Sequence, residues 1–502
     1  MARMSLLSKF KKLFDPVDLT SGSISKALIT FLVPIVLSMI FQQLYTLTDS
    51  MIVGQSLSEA EVAGVNSTAP LVYIVLQFGI GCTAGFSVVI SEKIGMKDKD
   101  GVTRSYWVQI VLCTLISVIL TVVGILCIPF LLSLIGIYPS TTDASMMAEY
   151  NAAYTYLFII YAGAILQIFY NMIVSVLRAM GDSFTPFLFL VGGTILNVGL
   201  DLLFIIVFHW GVAGSAVATI LSQGAAAAGA MIYGYKKYEA LRIHKKHLKS
   251  SFKFYGHHLY NGAPLGFQFS VLEIGIIIMQ AAVIAFDVAP DGSMVASLPA
   301  QMGYGAGCKV INLLMAFMSG LGTAVLSFSS QNLGAGSYKR IKQGLWVALG
   351  IGMVIYALTL LIGLGCTING AYQYLFLSAD KINSDSIRYG NMYLYVSIPC
   401  SLILMVLFII RNLLQGIQKP LWPFLSGVGE LLARSLIFLY FPAVFNGGPI
   451  NSEASTLAFA VVSAADPAAW VFNVLVSLGP TIYYMIKLTK KEEAQKAASL
   501  VE

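Results

Sequence analysis

The sequence has 502 residues, of which 57% are hydrophobic and only 11% are charged. A soluble protein needs a charged surface, so this composition indicates a chain that is dissolved in lipid. In a soluble protein the formal net charge of +6 would suggest a nucleic-acid partner. Here the basic residues are sorted into particular loops, which is a topology signal, and we expect no nucleic-acid partner.

Long apolar runs follow one another along the whole chain. Crossing a hydrocarbon core of about 30 Å takes roughly 20 apolar residues as a helix. The runs do not alternate apolar and polar residues, so helices are predicted and a barrel is excluded. The fold class is therefore all-α integral membrane, and the apolar stretch 457–465 is too short to span and is interpreted as an outer interfacial segment. Twelve predicted helices start near residues 26, 62, 103, 147, 184, 211, 258, 296, 340, 385, 421 and 467.

Basic residues mark one side of the predicted membrane protein. They precede the first predicted helix, follow the second, sixth and eighth, and recur in the tail, for example at Lys12, Lys97, Lys246 and Lys339. The connections after the first, third, seventh and eleventh helices carry acids and neither Lys nor Arg. By the positive-inside rule, both termini are predicted to be cytoplasmic.

The sequence repeats itself at a spacing of 239 residues near the ends of the second and eighth predicted helices. An even number of helices separates the copies, which predicts two six-helix, pseudo-symmetric lobes of the same orientation. We predict a cytoplasmic amphipathic segment (1–25), lobes at 26–236 and 258–487, a basic flexible linker (237–257) and a cytoplasmic tail (488–502). The repeated residues are Gly81 and Gly320, Ser91 and Ser330, Gly95 and Gly334, and Trp107 and Trp346.

Charges at membrane depth are the sharpest functional signal, since each costs at least about 2.5 to 3.5 kcal/mol in the middle of a helix. In the first lobe, Asp49 lies in the outer half of the first helix, and Asn197 precedes Asp201 by one turn on the fifth. A tight turn after the fifth helix brings Thr219 of the sixth to a similar depth. Two neighbouring carboxylates hold a proton or a cation, so these four residues are a candidate coupling-ion site, for sodium or a proton. The alternative is that both acids face water and cap backbone groups.

Two further polar residues lie on the first helix, one and two turns before Asp49 and deeper in the membrane. Gln42 and Tyr45 are candidate substrate contacts, and the alternative is that they form hydrogen bonds between helices. Pro34, earlier in the same helix, predicts a kink that would move the Asp49 end as the site loads and empties, or a static bend. The other prolines predicted to lie inside helices are Pro129, Pro264, Pro299, Pro399 and Pro480.

The second lobe carries a different set of charges. Glu430 and Arg434 are four residues apart on the eleventh helix and are predicted to form an intrahelical ion pair. Glu273 has no opposite charge in its own helix and is the better candidate for a substrate contact. A structural pair between Glu273 and Lys309 is the alternative. Arg411, toward the end of the tenth helix, completes the set.

The cysteines and histidines predict neither a disulfide nor a metal cluster. The 6 cysteines are scattered singly through apolar stretches and are interpreted as small core residues. His244, His247, His257 and His258 lie in or beside the basic loop and, like His209, are expected to be solvated. An enzyme embedded in the membrane is a less favoured class, because neither an HExxH motif nor a His and Asp pair occurs at membrane depth.

Four short stretches occur in order along the chain: Pro34 followed by 49–54 (DSMIVG), 177–182 (LRAMGD) before Pro186, 331–335 (QNLGA), and 414–416 (LQG) before Pro423. In this order and spacing they resemble the multidrug and toxic compound extrusion (MATE) family, the cation-coupled exporters. The resemblance covers nearly the whole chain. Each stretch alone is a weak signal, and their combination is a strong one.

The resemblance implies a role for each candidate of the first lobe. Asp49, Asn197, Asp201 and Thr219 match the cation site of prokaryotic members, and Glu273 is similar to an acid that the family carries on its seventh helix. Some members also place an acid on the tenth helix. The stretch 389–399 has none, which weakens the case for a second-lobe ion site.

The expected function is cation-coupled antiport. A sodium ion or a proton enters from outside, occupies the first-lobe site and lowers the affinity for an amphipathic, often cationic compound that then leaves outward. The alternative is a flippase of the same superfamily that moves a lipid-linked sugar. We expect a monomer in the plasma membrane whose partners are the lipid bilayer and small organic substrates, without a cofactor beyond the coupling ion.

Overall fold

The computed structural model of the protein describes residues 15–140, 143–295, 297–377 and 382–499. Within these ranges the chain is helical, and its one β-type pairing is an isolated bridge between Val288 and Met294. The all-α prediction is confirmed. Residues 1–14 and 500–502 lie outside the described residues, and with them most of the predicted amphipathic segment and the end of the predicted tail.

The helices follow the predicted order. They are α1 (Ile24–Ser56), α2 (Glu59–Gly95), α3 (Lys99–Leu134), α4 (Ala144–Ala162), α5 (Ala164–Ala179), α6 (Phe184–Asp201), α7 (Gly211–Lys237), α8 (Phe252–Ile284), α9 (Pro299–Gly334), α10 (Tyr338–Cys366), α11 (Ser384–Gly416), α12 (Leu421–Asn446) and α13 (Thr456–Ser499). A π-helix occupies Leu202–Val207, and 3₁₀ turns occupy Glu239–Leu241, Lys245–His247, Ala285–Asp287 and Ile368–Leu375.

Twelve spans account for these helices. Among the described residues, 11 helical stretches are each long and apolar enough to cross a membrane. Helices α4 and α5 together make the further span, which is bent by 50°. The predicted number of spans is confirmed, and the cytoplasmic position of both termini stays a prediction.

The bend between α4 and α5 falls at Gly163. A Cβ atom at this position would overlap the side chain of Ile220, so α7 approaches the bend at a distance that glycine alone permits. The sequence predicted a single fourth helix that starts near residue 147, because the apolar pattern continues through the break.

Two compact units divide the described residues. Unit 1 contains α1 to α7, α8 as far as Ser270, and the stretches 327–337 and 415–420. In unit 1, α2 packs against α3, α4 and α5, while α6 packs against α1 and α7. Phe86 and Ile90 of α2 are fully buried in the core with Met172 of α5. The polar residues of α1, α6 and α7 are thus placed on three neighbouring helices.

The internal repeat produces a reciprocal contact inside unit 1. A Cβ atom on Gly95, at the end of α2, would overlap the main-chain oxygen of Gln331. A Cβ atom on Gly334, at the end of α9, would overlap that of Glu92. Gln331 follows Glu92, and Gly334 follows Gly95, by the same 239 residues, so the two contacts are equivalent under the repeat. Helix backbones approach this closely where glycine removes the side chain.

The predicted flexible linker is folded onto unit 1. Leu241 is 2% exposed and belongs to the unit 1 core. Lys246 Nζ and His247 Nε2 lie 2.9 and 3.1 Å from Asp100 Oδ1. Apolar and ionic contacts thus hold the linker against unit 1. The prediction that the histidines of this loop are solvated is wrong for His247 and His258, which are buried.

The start of the linker is tied to the turn before α6. Asp182 is buried and accepts hydrogen bonds from Lys237 Nζ at 3.0 Å and from the Tyr238 hydroxyl at 2.6 Å. Burial, together with the neighbouring Asp182 carboxylate, raises the pKa of Tyr238 above its usual value. The phenol therefore remains a hydrogen-bond donor, and the connection after α7 is fixed at its first residues.

Unit 2 contains the remaining described residues from 271 onward. Its core is aromatic: the rings of Tyr304 on α9 and Tyr393 on α11 lie 4.8 Å apart, and those of Phe286 and Phe459 lie 5.1 Å apart. Helix α12 packs along α13.

The last helix differs from its prediction. Helix α13 runs unbroken through Thr456–Ser499, so the stretch 457–465 is its first part and not a separate interfacial segment. Phe459 and Val462 are buried in the unit 2 core, which explains why this stretch is apolar. The predicted start near 467 is wrong, because Pro467 interrupts the sequence pattern without ending the helix.

Most of the predicted prolines lie inside helices. This holds for Pro34, Pro129, Pro264, Pro399 and Pro480. Pro299 is instead the first residue of α9, where its missing N–H removes no helical hydrogen bond. The carboxylate of Asp287 accepts from the next two N–H groups, of Ala300 at 2.8 Å and Gln301 at 2.9 Å. Pro70, Pro442 and Pro467 lie inside helices and were not predicted there.

The reciprocal glycine contact can be tested by adding one methyl group. We expect Gly334→Ala to lower the stability of the detergent-purified protein by about 1 to 3 kcal/mol, because helical backbone faces the new Cβ atom and has little freedom to move. Thermal unfolding of wild type and variant measures this change.

The matched control is Gly350→Ala on α10. No atom lies within 4 Å of a Cβ atom there, so we expect no loss of stability. Equal midpoints for Gly334→Ala and wild type would contradict the tight contact.

Candidate functional site

The four predicted first-lobe residues all lie in unit 1. Asp49 lies near the end of α1, Asn197 and Asp201 lie on α6, and Thr219 lies on α7. Asn197 and Asp201 are both 0% exposed, and Thr219 is buried as well. The alternative that both acids face water is therefore wrong for Asp201.

The two carboxyl groups of this site interact directly. Those of Asp49 and Asp201 lie close enough for a shared proton or ion. None of the described residues gives a hydrogen-bond partner to either carboxylate oxygen of Asp201, or to the amide oxygen and amide nitrogen of Asn197. The Tyr45 hydroxyl lies 3.5 Å from Thr219 Oγ1. The site is thus a group of oxygen atoms whose hydrogen-bonding capacity is not filled by the protein.

A tyrosine that the sequence did not single out also faces this pair. Tyr156 of α4 lies near enough to Asp49 and Asp201 for an electrostatic interaction. Tyrosine is frequent in the apolar spans, and nothing in the pattern marks this one.

A π-helix follows Asp201 directly. In the segment Leu202–Val207 the turns are wider than in an α-helix. The Phe208 N–H then donates at 2.9 Å to the oxygen of Leu203, five residues back. Stretches of π-helix occur often at functional sites. The apolar sequence gives no signal for this change of geometry.

Gln42 and Tyr45 line a small pocket of unit 1. Its volume is ≈ 50 Å³, which suits one or two waters and not an organic molecule. The hydroxyl of Ser38, which lies on the same helix, donates to the oxygen of Pro34 at 2.8 Å. The substrate role of Gln42 and Tyr45 and the conformational role of Pro34 stay predictions.

Glu273 lines a much larger cavity, in unit 2. The cavity has a volume of ≈ 620 Å³, within the range of sites for drug-sized ligands. Lys309 and Arg411 line the same cavity, with aromatic and Met side chains such as Trp470 and Met315.

Three charged residues form a network in the wall of this cavity. Arg434 Nη2 donates to Glu430 Oε1 at 3.0 Å, so the predicted intrahelical pair is confirmed. Arg434 Nε also lies 2.8 Å from Asp466 Oδ1. Asn473 donates to the other oxygen of Glu430 at 2.7 Å, and the Tyr393 hydroxyl donates to Asp466 at 3.5 Å. Both acids thus have a cation and a further donor.

Asp466 is the charged residue that sequence reasoning missed. The predicted last helix began one residue after it, so the acid fell outside the spans. Its position in an otherwise apolar stretch, directly before Pro467, was the available signal.

Other metal-binding groups are not found. The described residues contain no cluster of three or more His, Cys, Asp or Glu side chains placed to hold a metal. The 6 cysteines are free, and two of them, Cys82 and Cys113, are buried.

Twelve apolar spans, buried acids and a large cavity define a multi-pass membrane protein. The MatE family model matches residues 34–203 and 276–437, which is more than half of the chain. The chain belongs to the MatE family, and the resemblance seen in the sequence is confirmed. It is therefore a multi-pass transporter of the plasma membrane.

Two relatives from Bacillus subtilis (strain 168) support this assignment. The probable multidrug resistance protein YpnP is 31% identical over 328 residues, covering 64% of this chain and 68% of that protein. The probable multidrug resistance protein YoeA is 26% identical over 478 residues, covering 94% and 95%. A solved structure of a multidrug resistance MATE family transporter in an outward-facing conformation has the same fold, with a TM-score of 0.78, 20% identity, and coverage of 95% of this chain and 99% of that one.

The unit 2 network predicts a large loss of stability when its cation is removed. We expect Arg434→Met to destabilise the protein by about 3 to 5 kcal/mol, because two buried carboxylates lose their shared counter-charge. Chemical or thermal unfolding in detergent measures the loss.

The same substitution at Arg388 is the matched control. Arg388 pairs with Asp385 at 3.4 Å on the exposed start of α11, and we expect a change below about 1 kcal/mol. Similar losses for both variants would contradict the special role of Arg434.

Proposed function

We propose that the chain is an antiporter in which a sodium ion or a proton, taken up at Asp49, Asn197, Asp201 and Thr219, drives the export of amphipathic organic compounds. The names of the Bacillus relatives support a small organic substrate. Membership of the MatE family supports transport as the activity.

The unsatisfied oxygens around Asp201 are the observation that carries this proposal. A buried carboxylate without donors is costly, and the cost is removed when a cation or a proton binds. Asp49 and Asp201 repel each other when both are ionised, which favours uptake of one positive charge. The neutral oxygens of Asn197 and Thr219 complete a set of hard ligands that suits sodium as well.

Coupling follows from the helices that carry these residues. Asp49 is on α1 and Asp201 is on α6, so a bound ion draws the end of α1 toward α6. Gln42 and Tyr45, two turns and one turn before Asp49 on α1, move with it. A substrate that needs the other position of α1 is then released, and by linkage the substrate weakens ion binding equally.

Removing either acid tests the coupling site. We expect Asp49→Asn and Asp201→Asn each to reduce gradient-driven efflux of a fluorescent cationic dye from proteoliposomes at least about tenfold, because the variant pair cannot hold a positive charge. Sodium and pH gradients are imposed separately.

The control is Asp143→Asn, an exposed acid at the start of α4 whose replacement can still cap the helix. Efflux by this variant should equal that of wild type. Undiminished efflux by Asp49→Asn would remove that residue from the coupling role. Failure of wild type to export a panel of dyes under either gradient would favour the lipid-linked sugar flippase.

A second variant separates sodium from proton coupling. Asn197→Leu keeps the approximate shape of the side chain and removes an oxygen ligand. We expect it to abolish sodium-driven efflux and to leave proton-driven efflux within about twofold of wild type, because a proton needs only the carboxylates. Loss of both activities in a stably folded variant would show that Asn197 is not specific to a metal ion.

A further inference from the structure

Two basic residues of the unit 2 cavity have no part in the proposed ion coupling. Arg411 on α11 and Lys309 on α9 both line this cavity of ≈ 620 Å³. Both lie within apolar spans, where an ionic side chain is retained only if it is paired, hydrated or bound to a ligand.

Arg411 is the more informative of the two. Its side chain is 7% exposed, and its guanidinium lies 5.1 Å from the centre of the Phe408 ring. Among the described residues no carboxylate lies within ion-pair distance of it, and Glu430 acts on it from farther away. Glu430 itself is already bound by Arg434 and Asn473. A buried guanidinium therefore faces the cavity without a direct counter-ion.

Lys309 on the neighbouring helix differs from Arg411 in burial, since Lys309 is exposed, and is similar to it in its partners. Its ammonium lies 5.4 Å from the centre of the Phe376 ring, and no described carboxylate pairs with it. The aromatic rings stabilise both cations partly but do not neutralise them.

The acids that line the same cavity do not neutralise Arg411 and Lys309. Glu430 and Asp466 share Arg434 and each has a second donor, so their charge is fixed in the wall. Glu273 adds one carboxylate to the lining. The groups with unused donor capacity are thus the guanidinium and the ammonium, and a guanidinium matches the two oxygens of a carboxylate or a phosphate.

We propose that the unit 2 cavity binds the carboxylate or phosphate group of an amphipathic organic molecule, with Arg411 and Lys309 as its anion-binding residues. Tyr304, Met315 and Trp470 supply the surface for the apolar body of the ligand. The substrates would then include organic anions and zwitterions, in addition to the cationic compounds expected from the sequence. This assignment goes beyond the ion-coupled function and does not depend on which ion drives it.

A matched pair of dyes tests the proposal. Rhodamine B and its ethyl ester share one ring system and one positive charge, and differ by a free carboxylate. Full-length protein in phosphatidylcholine nanodiscs is titrated with each dye, and fluorescence polarisation gives the dissociation constant without an ion gradient. We expect wild type to bind rhodamine B at least about tenfold more tightly than the ester.

The variants should remove this preference. We expect Arg411→Gln and Lys309→Gln each to weaken rhodamine B binding about tenfold and to leave ester binding unchanged, which also shows that the cavity is intact. Arg411→Lys should retain part of the preference, because it keeps the charge and loses the planar fork. Arg388→Gln, an exposed arginine on the same helix, should bind both dyes as wild type does.

A second arm identifies the source of the anionic group. Phosphatidylglycerol is added to the nanodiscs, and its effect on rhodamine B binding is measured. Competition with the dye in wild type, but not in Arg411→Gln, assigns a lipid phosphate to the site. Absence of competition assigns a soluble anion to the site. Both results support Arg411 and Lys309 as the anion-binding residues. Equal affinity of wild type for the two dyes, or equal loss of both in the variants, overturns the proposal. Because no gradient is applied, this failure is distinct from a failure of the efflux assays.

Discussion

Every charge placed inside an apolar span has to be neutralised, hydrated or held for a ligand, and this requirement shapes both units of the protein. In unit 2 the protein neutralises Glu430 and Asp466 itself, with Arg434 between them. In unit 1 it brings Asp49 and Asp201 together, and no cationic side chain of the described residues forms an ion pair with either. The first arrangement neutralises its acids within the protein, whereas the second does not, which is the basis of the proposed ion uptake.

The internal repeat makes this contrast more specific. The triplet Pro-Phe-Leu begins at 186 and again at 423, a spacing of 237 residues. At the same spacing, Asn197 corresponds to Arg434, and Asp201 corresponds to Phe438. Where unit 1 has a neutral amide beside an unsatisfied acid, unit 2 has a guanidinium that binds two acids. Two equivalent helical positions thus carry an amide and an acid in unit 1, and a guanidinium and a phenyl ring in unit 2.

Much of this organisation could be predicted from the sequence, because lipid imposes simple rules. Continuous apolar runs give the spans. Of the four polar residues at similar predicted depth, Asp49 and Asp201 lie close together. The pair of Glu430 and Arg434 followed from helical spacing alone.

The features that were missed depend on contacts between distant parts of the chain. Asp466 was missed because the last helix was predicted to begin near residue 467, whereas Pro467 lies inside α13. The order of the linker depends on Asp100 and Asp182, which are remote in sequence. The bend at Gly163 depends on Ile220 of another helix, and the π-helix after Asp201 has no pattern of its own.

The close glycine contact and the ion site lie at opposite ends of α2. Gly95 and Gly334 fix the far end of α2, whereas Asp49 lies on α1 shortly before the chain turns into the start of α2 at Glu59. Backbone contact through glycine leaves no soft side chain to absorb movement, so that end of unit 1 is rigid. The other end holds groups whose interactions are incomplete, and such groups change position when their charge is neutralised. In the proposed mechanism, movement would therefore begin where α1 meets α2, with the glycine contact as the fixed point.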